Sequence, residues 1–217
     1  MSRMTVRKVA VLGAGVMGAQ IATHCANADV PVVLFDLPAK EGDPNGIVKK
    51  ALAGLKKLQP APAATKARLA AIEAANYETD LEKLRDCDLI IEAIAEKMDW
   101  KLDLYQKVAP FIRPDAIFAT NTSGLSISTL SEGMPAELRG RFCGIHFFNP
   151  APMMKLVELI RGIATDQDTW DTMHEVVRKL GKTAASAEDF PAFIVNRILM
   201  PMINEAVYTL YEGVGSV

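Results

Sequence analysis

Residues 8–36 read KVAVLGAGVMGAQIATHCANADVPVVLFD, and a change of period inside this stretch decides the fold class. Val9 to Leu12 is a short, mainly β-branched apolar run, whereas beyond the glycines the apolar positions recur as Met17, Ile21 and Cys25, one stripe at helical spacing. Pro31 to Phe35 is a second apolar run, closing on Asp36, an acid about 20 residues beyond the glycine turn, as a dinucleotide-binding βαβ unit requires. Gly13 allows the sharp turn, Gly15 has no Cβ to hold a pyrophosphate away from the backbone, and Gly18 lets the helix pack closely on the strand. The free N–H groups at the helix start, around Val16 and Met17, face the phosphates. The alternative reading is a glycine-rich helix-packing motif, but here strand, turn, helix, strand and acid all fall in place. Asp36 would accept hydrogen bonds from the adenosine ribose hydroxyls and repel a 2′-phosphate, so the expected cofactor is NAD rather than NADP.

The chain has 217 residues, 50% hydrophobic and 23% charged, enough to bury a full α/β core. A net charge of −2, with no basic stripe or interleaved aromatic set, gives no reason to expect nucleic acid or an anionic membrane surface. Met1-Ser2-Arg3-Met4-Thr5 leads straight into the first strand and no apolar run approaches membrane-spanning length, so neither a targeting segment nor a span is expected, and the cytoplasm is the default site. Cys25, Cys87 and Cys143 are odd in number and far apart in apolar surroundings, which reads as reduced core thiols rather than disulfides or metal ligands.

A turn-rich loop from Pro38 to Gly46 precedes two helical stretches, about Ile47 to Leu58 and Ala64 to Ala75, separated by Gln59-Pro60-Ala61-Pro62. They carry Lys49, Lys50, Lys56, Lys57, Lys66 and Arg68, either a solvated face or a surface for the phosphates of a coenzyme A handle. Tyr77 to Thr79 reads as a short strand and Leu81 to Leu84 as a helical turn. Asp88 to Ile94 reads as a buried strand, Asp99 to Ile112 as a helix, and Ala116 to Thr120 as a strand running into Asn121-Thr122-Ser123-Gly124. Arg141 to Ile145 is a strand delivering His146, and Leu156 to Ile160, a helix at Asp168 to Leu180 and Thr183 to Ser186 complete the sheet. Such alternation is the signature of a doubly wound, Rossmann-type, mostly parallel sheet, here with a helical hairpin insertion, whose ligands sit beyond the carboxyl ends of the strands. Residues 1–190 form this domain, and 191–217 begin a second one. Phe193 to Tyr211 is a long helix, apolar on more than one side and bent at Pro201. The chain stops at Gly213 to Val217 before supplying the neighbours such a helix needs, which reads as an all-helical domain cut short.

Oxidising an alcohol needs a base near neutral pH, and there are three histidines. His24 and His174 lie on helices and read as surface or packing residues, whereas His146 sits at the carboxyl end of a strand, where a bound nicotinamide would present its reactive carbon. Glu158, twelve residues on and flanked by apolar residues, would pair with His146 if its side chain faces inward, or would simply face water.

The segments GAGVMG at Gly13, IIEAIAEKMDWK at Ile90, TNTSGLSI at Thr120, GIHFFNPAPMMKLVE at Gly144 and PAFIVNRIL at Pro191 resemble the L-3-hydroxyacyl-CoA dehydrogenases of fatty-acid β-oxidation. They span nearly the whole chain, and the Pro/Ala break between the basic helices also resembles the fused proteins that join this dehydrogenase to an enoyl-CoA hydratase. The resemblance implies that His146 is the general base taking the 3-hydroxyl proton while a hydride passes to NAD, and that Glu158 orients it. It implies that Ser123 and Asn196 hold the reacting oxygen, that Glu96, Lys101, Ser123 and Asn149 surround the NAD ribose and nicotinamide, and that Asp36 binds the adenosine ribose. It turns the basic helices towards an acyl-CoA substrate. Pro191-Ala192-Phe193 carries alanine where the family commonly has glycine, which bears on the turn before Asn196. Family members continue into a helical domain that closes the acyl site and forms the dimer, so this stretch alone is expected to bind NAD, to turn over acyl substrate weakly and to self-associate through its last helix. The rival readings are a dehydrogenase of a small hydroxy or sugar acid, and a non-catalytic NAD-binding module.

Overall fold

The protein, represented by a computed structural model, is described over residues 5–216. The expectation that Met1-Ser2-Arg3-Met4 carries no targeting signal lies outside the described residues. Strand β1 (Val9–Leu12), helix α1 (Val16–Asn27) and strand β2 (Val32–Asp36) form the βαβ unit, with β1 and β2 parallel and Leu12 opposite Phe35. Two helices, α2 (Gly46–Leu55) and the single-turn α3 (Lys66–Ala70), lead into strand β3 (Glu73–Asn76) at the sheet edge. Then follow β4 (Leu89–Glu92), α4 (Met98–Val108), β5 (Ile117–Thr120), α5 (Ile127–Glu132), α6 (Ala136–Arg139), β6 (Phe142–Phe147), β7 (Leu156–Arg161), α7 (Gln167–Lys179), β8 (Thr183–Glu188) and α8 (Val195–Tyr211).

The eight strands run in the order β3-β2-β1-β4-β5-β6-β7-β8, all neighbours parallel except the antiparallel pair β6 and β7. The order reverses between β1 and β4, and a crevice opens there beyond the carboxyl ends of the strands. Alternation along each strand feeds two cores. Val9 and Val11 pack with Ile21 and Cys25 of α1 and Met173 and Val177 of α7, whereas Ala10 and Leu12 pack with Leu104 and Tyr105 of α4 and Leu130 of α5. Burial on both faces explains why these strands read as continuous apolar runs.

The stretch expected to be helical from Ala64 to Ala75 is helical only over Lys66–Ala70, and Glu73–Asn76 is a strand in place of the one expected at Tyr77 to Thr79. Alanine favours a helix locally, but the open edge of β2 offers hydrogen bonds that pair Val33 with Glu73 and Asp36 with Asn76. The strand carrying the key histidine extends to Phe147, so His146 is its penultimate residue rather than the one after it. Helix α8 leaves the sheet and buries none of its residues; Ile198 is 66% exposed and Val207 61%. Among the described residues no helix is long and apolar enough to cross a membrane.

Candidate active site

The glycine turn has the shape the sequence requires. Gly13 lies at φ +104°, and a Cβ on it would stand 2.8 Å from the Ala93 carbonyl oxygen, while a Cβ on Gly18 would fall 1.7 Å from the Gly13 oxygen. Nothing lies within 4 Å of the Cβ position of Gly15, so the backbone there is open to a close-lying ligand. The first N–H groups of α1, at Val16 and Met17, have no partner within the helix and point beyond its start. Asp36 does more than the sequence suggests. Its Oδ2 accepts the Ala14 N–H at 2.6 Å and its Oδ1 the Leu37 N–H at 2.7 Å, so the acid fixes the turn as well as facing the crevice. Gly13, Gly15, Asp36, Leu37, Tyr77 and Trp100 line a cavity of about 560 Å³ on one side of the turn, and Gly15, Val16, Gln20, Asn149 and Met153 line one of about 580 Å³ on the other. The two cavities share Gly15 at the open helix start, an arrangement that suits a dinucleotide.

His146 and Glu158 stand opposite each other in the antiparallel β6 and β7 register, which brings the imidazole Nδ1 to 2.8 Å from Glu158 Oε2. Both are buried, the carboxylate completely. Its second oxygen, Oε1, accepts the backbone N–H groups of Ile194 at 3.0 Å and Val195 at 2.8 Å, the start of α8. The buried carboxylate thus faces three donors, two of them backbone amides at a helix start, and serves as their acceptor. Nδ1 must then carry the hydrogen, which leaves Nε2 as the basic nitrogen; among the described residues it has no hydrogen-bond partner. The rings of Phe148 and Phe193 flank the imidazole at 4.7 and 5.9 Å between centroids.

The turn before α8 forms despite its alanine. Ala192 lies at φ +67° and Phe193 at φ +51°, two successive residues in the left-handed region without a glycine. This places the buried Phe193 against His146 and aims the Ile194 and Val195 amides at Glu158.

Ser123 and Asn196 are brought together: the Asn196 Nδ2 donates to the Ser123 carbonyl at 3.3 Å. The loop carrying Ser123 is held by Glu96, whose Oε1 accepts from Thr122 Oγ1 at 2.5 Å and from the Ser123 and Gly124 N–H groups at 2.8 and 3.2 Å. Asn121 Oδ1 accepts the Phe147 N–H at 2.9 Å and ties this loop to the end of β6. Asn149 is exposed beside the helix start, its Oδ1 accepting from Gln20 Nε2 at 3.2 Å, while Gln20 Oε1 accepts the Ala151 N–H at 2.9 Å.

Lys101 is 1% exposed, and its ammonium donates to Glu92 Oε1 at 2.6 Å, with Glu96 Oε2 3.7 Å away. Helical spacing put Lys101 on the side of α4 that packs on the sheet, and Glu92, at the end of β4, is its reason for being there. Of the basic residues around α2 and α3, Arg68 pairs with Asp29 and donates to the Ala26 carbonyl at 2.8 Å, and Lys49 pairs with Asp43. These two brace the insertion; Lys50, Lys56, Lys57 and Lys66 are exposed. His24 is a core residue, its Nε2 2.8 Å from the Leu180 carbonyl oxygen, and His174 spans Trp170 and Ser186. Gln20, Glu92, Asn121 and Asp189, which caps α5 through Ser126, Ile127 and Ser128, were not singled out as site residues from the sequence. Only Glu92 carried a signal, an acid closing a buried strand.

A family model described as the NAD-binding domain of 3-hydroxyacyl-CoA dehydrogenase matches residues 8–190. The chain belongs to the 3-hydroxyacyl-CoA dehydrogenase family. It is an NAD-dependent oxidoreductase of that family, built on its Rossmann-type domain. The chain is 49% identical over 217 residues to a 3-hydroxybutyryl-CoA dehydrogenase of Bradyrhizobium diazoefficiens, covering 98% of this chain and 71% of that protein. It is 41% identical to a probable 3-hydroxybutyryl-CoA dehydrogenase of Deinococcus radiodurans, covering 95% of this chain and 73% of that one. Among solved structures, (S)-3-hydroxybutyryl-CoA dehydrogenase PaaH1 of Ralstonia eutropha superposes with a TM-score of 0.83 at 35% identity, over 98% of this chain and 74% of that one. This 3-hydroxyacyl-CoA dehydrogenase fold therefore carries its histidine, carboxylate, serine and asparagine within one linked site.

Proposed function

We propose that the chain oxidises the 3-hydroxyl of a short-chain L-3-hydroxyacyl-CoA to the 3-oxo compound, with His146 as general base, as a step of fatty-acid β-oxidation. The observation that carries this reading is the Nδ1–Oε2 contact of 2.8 Å between His146 and Glu158, because it leaves Nε2 free to take a proton. Gly13, Gly15, Val16, Met17, Gly18 and Asp36, with Glu96, Ser123 and Asn149 further along the crevice, would hold NAD, which would supply the hydride acceptor. Lys101 supports this half of the site from below. As the alcohol proton moves to Nε2 the ring becomes an imidazolium, and the Glu158 carboxylate stabilises that cation while keeping the ring in place. The Ser123 hydroxyl and the Asn196 amide hold the reacting oxygen near Nε2, and Phe148 and Phe193 exclude water from the ring. The names of the relatives support a four-carbon acyl-CoA, and the exposed lysines around α2 offer its phosphates a cationic surface.

Residues 1–190 act as the NAD-binding unit and 191–217 as the start of a helical one. Helix α8, with no residue buried, needs a cover that a second copy or further helices would provide, and until covered it would leave acyl turnover weak. The three free, buried cysteines suit a reducing compartment such as the cytoplasm. His146→Gln is expected to abolish NADH-dependent reduction of acetoacetyl-CoA while NADH affinity stays within about two-fold, since the substitution removes the base but not the glycine turn. Comparison of 3-hydroxybutyryl-CoA with free 3-hydroxybutyrate tests the substrate class: equal rates would favour a small hydroxy-acid dehydrogenase.

A further inference from the structure

Beneath the crevice lies a charged cluster centred on Glu92, a residue that no step above uses. Glu92 ends β4 at the point where the strand order reverses, opposite Leu12 of β1 and Thr120 of β5, and it is fully buried. Its carboxylate accepts four hydrogen bonds, from two elements and the loop after β4. Oε1 takes the Ile94 N–H at 2.7 Å and Lys101 Nζ at 2.6 Å; Oε2 takes Tyr105 Oη at 2.8 Å and Thr120 Oγ1 at 2.7 Å. Burial, with the neighbouring Glu92 anion, pushes the Tyr105 phenol well above its ordinary range, so it stays a donor. Lys101 faces a second carboxylate, Glu96 Oε2, at 3.7 Å, and it is Glu96 whose other oxygen gathers Thr122, Ser123 and Gly124.

We propose that Glu92 is a positioning residue for the nicotinamide half of the site, acting through Lys101 and Glu96 to fix the Asn121 to Gly124 loop. This rests on the NAD-dependent reading above. With Glu92 beneath it, the Lys101 ammonium is shared between two carboxylates and stands 3.7 Å from Glu96 Oε2, holding that oxygen so that Oε1 faces the loop amides. With glutamine at 92, the buried ammonium keeps Glu96 as its one anion among the described residues, and the attraction draws that carboxylate off the loop. Packing does not demand the charges. A buried ion pair can be exchanged for groups of similar shape with little loss of fold, whereas one partner removed alone leaves an uncompensated charge. A glutamine at 92 can still accept from Ile94 and donate to the Thr120 or Tyr105 oxygen, and a methionine at 101 fills the lysine's volume.

The test pairs Glu92→Gln with the double variant Glu92→Gln, Lys101→Met, measuring the thermal midpoint without ligand and the NADH dissociation constant by fluorescence titration. Glu92→Gln alone is expected to lower the midpoint and weaken NADH about ten-fold, one order of magnitude in Kd. The double variant is expected to regain the midpoint but not the affinity, because the cation that governs Glu96 is gone. An NADH constant within about two-fold of the parent in a double variant of restored stability would reduce the cluster to a structural role and overturn the proposal. A double variant that does not fold would overturn it as well, since the charges would then serve the fold. Failure of the parent chain to bind NADH would instead count against the NAD-dependent reading, a separate outcome.

Discussion

Ala192→Gly should strengthen the join between the catalytic pair and helix α8. Ala192 occupies φ +67°, where a Cβ meets the following carbonyl and costs roughly 1–2 kcal/mol that glycine does not incur. Glycine also loosens the unfolded chain, which takes back roughly 0.4–1 kcal/mol. The net gain is about 0.5–1 kcal/mol, or roughly a two- to five-fold shift in the local opening equilibrium. Because α8 buries none of its residues, this segment can open without the sheet, so the proper reporter is local. The Ile194 and Val195 amides donate to Glu158, and native-state hydrogen exchange at these two positions reads the opening directly. Their protection should rise by that factor while amides of β1 and β4 stay unchanged. Unchanged or reduced protection at Ile194 and Val195 would refute the assignment of backbone strain to this turn.

Stability should fall as the medium is acidified through the histidine range. Burial above all, and then the Lys182 ammonium, lowers the His24 pKa from 6.5 to about 4. The unfolded chain therefore binds a proton that the folded one refuses, and the contribution of His24, full above pH 6.5, is lost as pH drops towards about 4. The loss by pH 5 is on the order of 2 kcal/mol. Urea midpoints of the parent and of His24→Gln should diverge in slope over this window, the variant being flatter; parallel slopes would exclude His24 as the titrating group. Asp36→Ala removes the acceptor of both the Ala14 and Leu37 amides and should weaken NADH about ten-fold, and an unaltered dissociation constant would show that the turn needs no such brace.

The fold was legible because period and punctuation agree along the chain: strand runs buried on both faces, glycines at the first turn, and an acid at the end of β2. The error at Ala71 to Ala75 has a plain cause, since five residues rich in alanine say helix locally and only the free edge of β2 makes a strand of Glu73 to Asn76. His146 and Glu158 were legible as candidates, but their pairing depended on an antiparallel register that no local signal encodes. The inward direction of the Lys101 side chain was not legible, because it is set by Glu92, a buried acid at the end of β4. The reach of Glu158 to α8 spans 36 and 37 positions and depends on two left-handed residues, which no periodicity announces.

The proton-transfer account rests on the open nitrogen of one imidazole. The most direct measurement is a crystal structure of the chain with NAD and acetoacetyl-CoA bound, reading the distance from His146 Nε2 to the 3-oxygen of the acyl group. A separation of about 2.6–3.2 Å, with Nδ1 still on Glu158, is the expected result. An oxygen seated on another side chain, with Nε2 beyond hydrogen-bonding range, would contradict it.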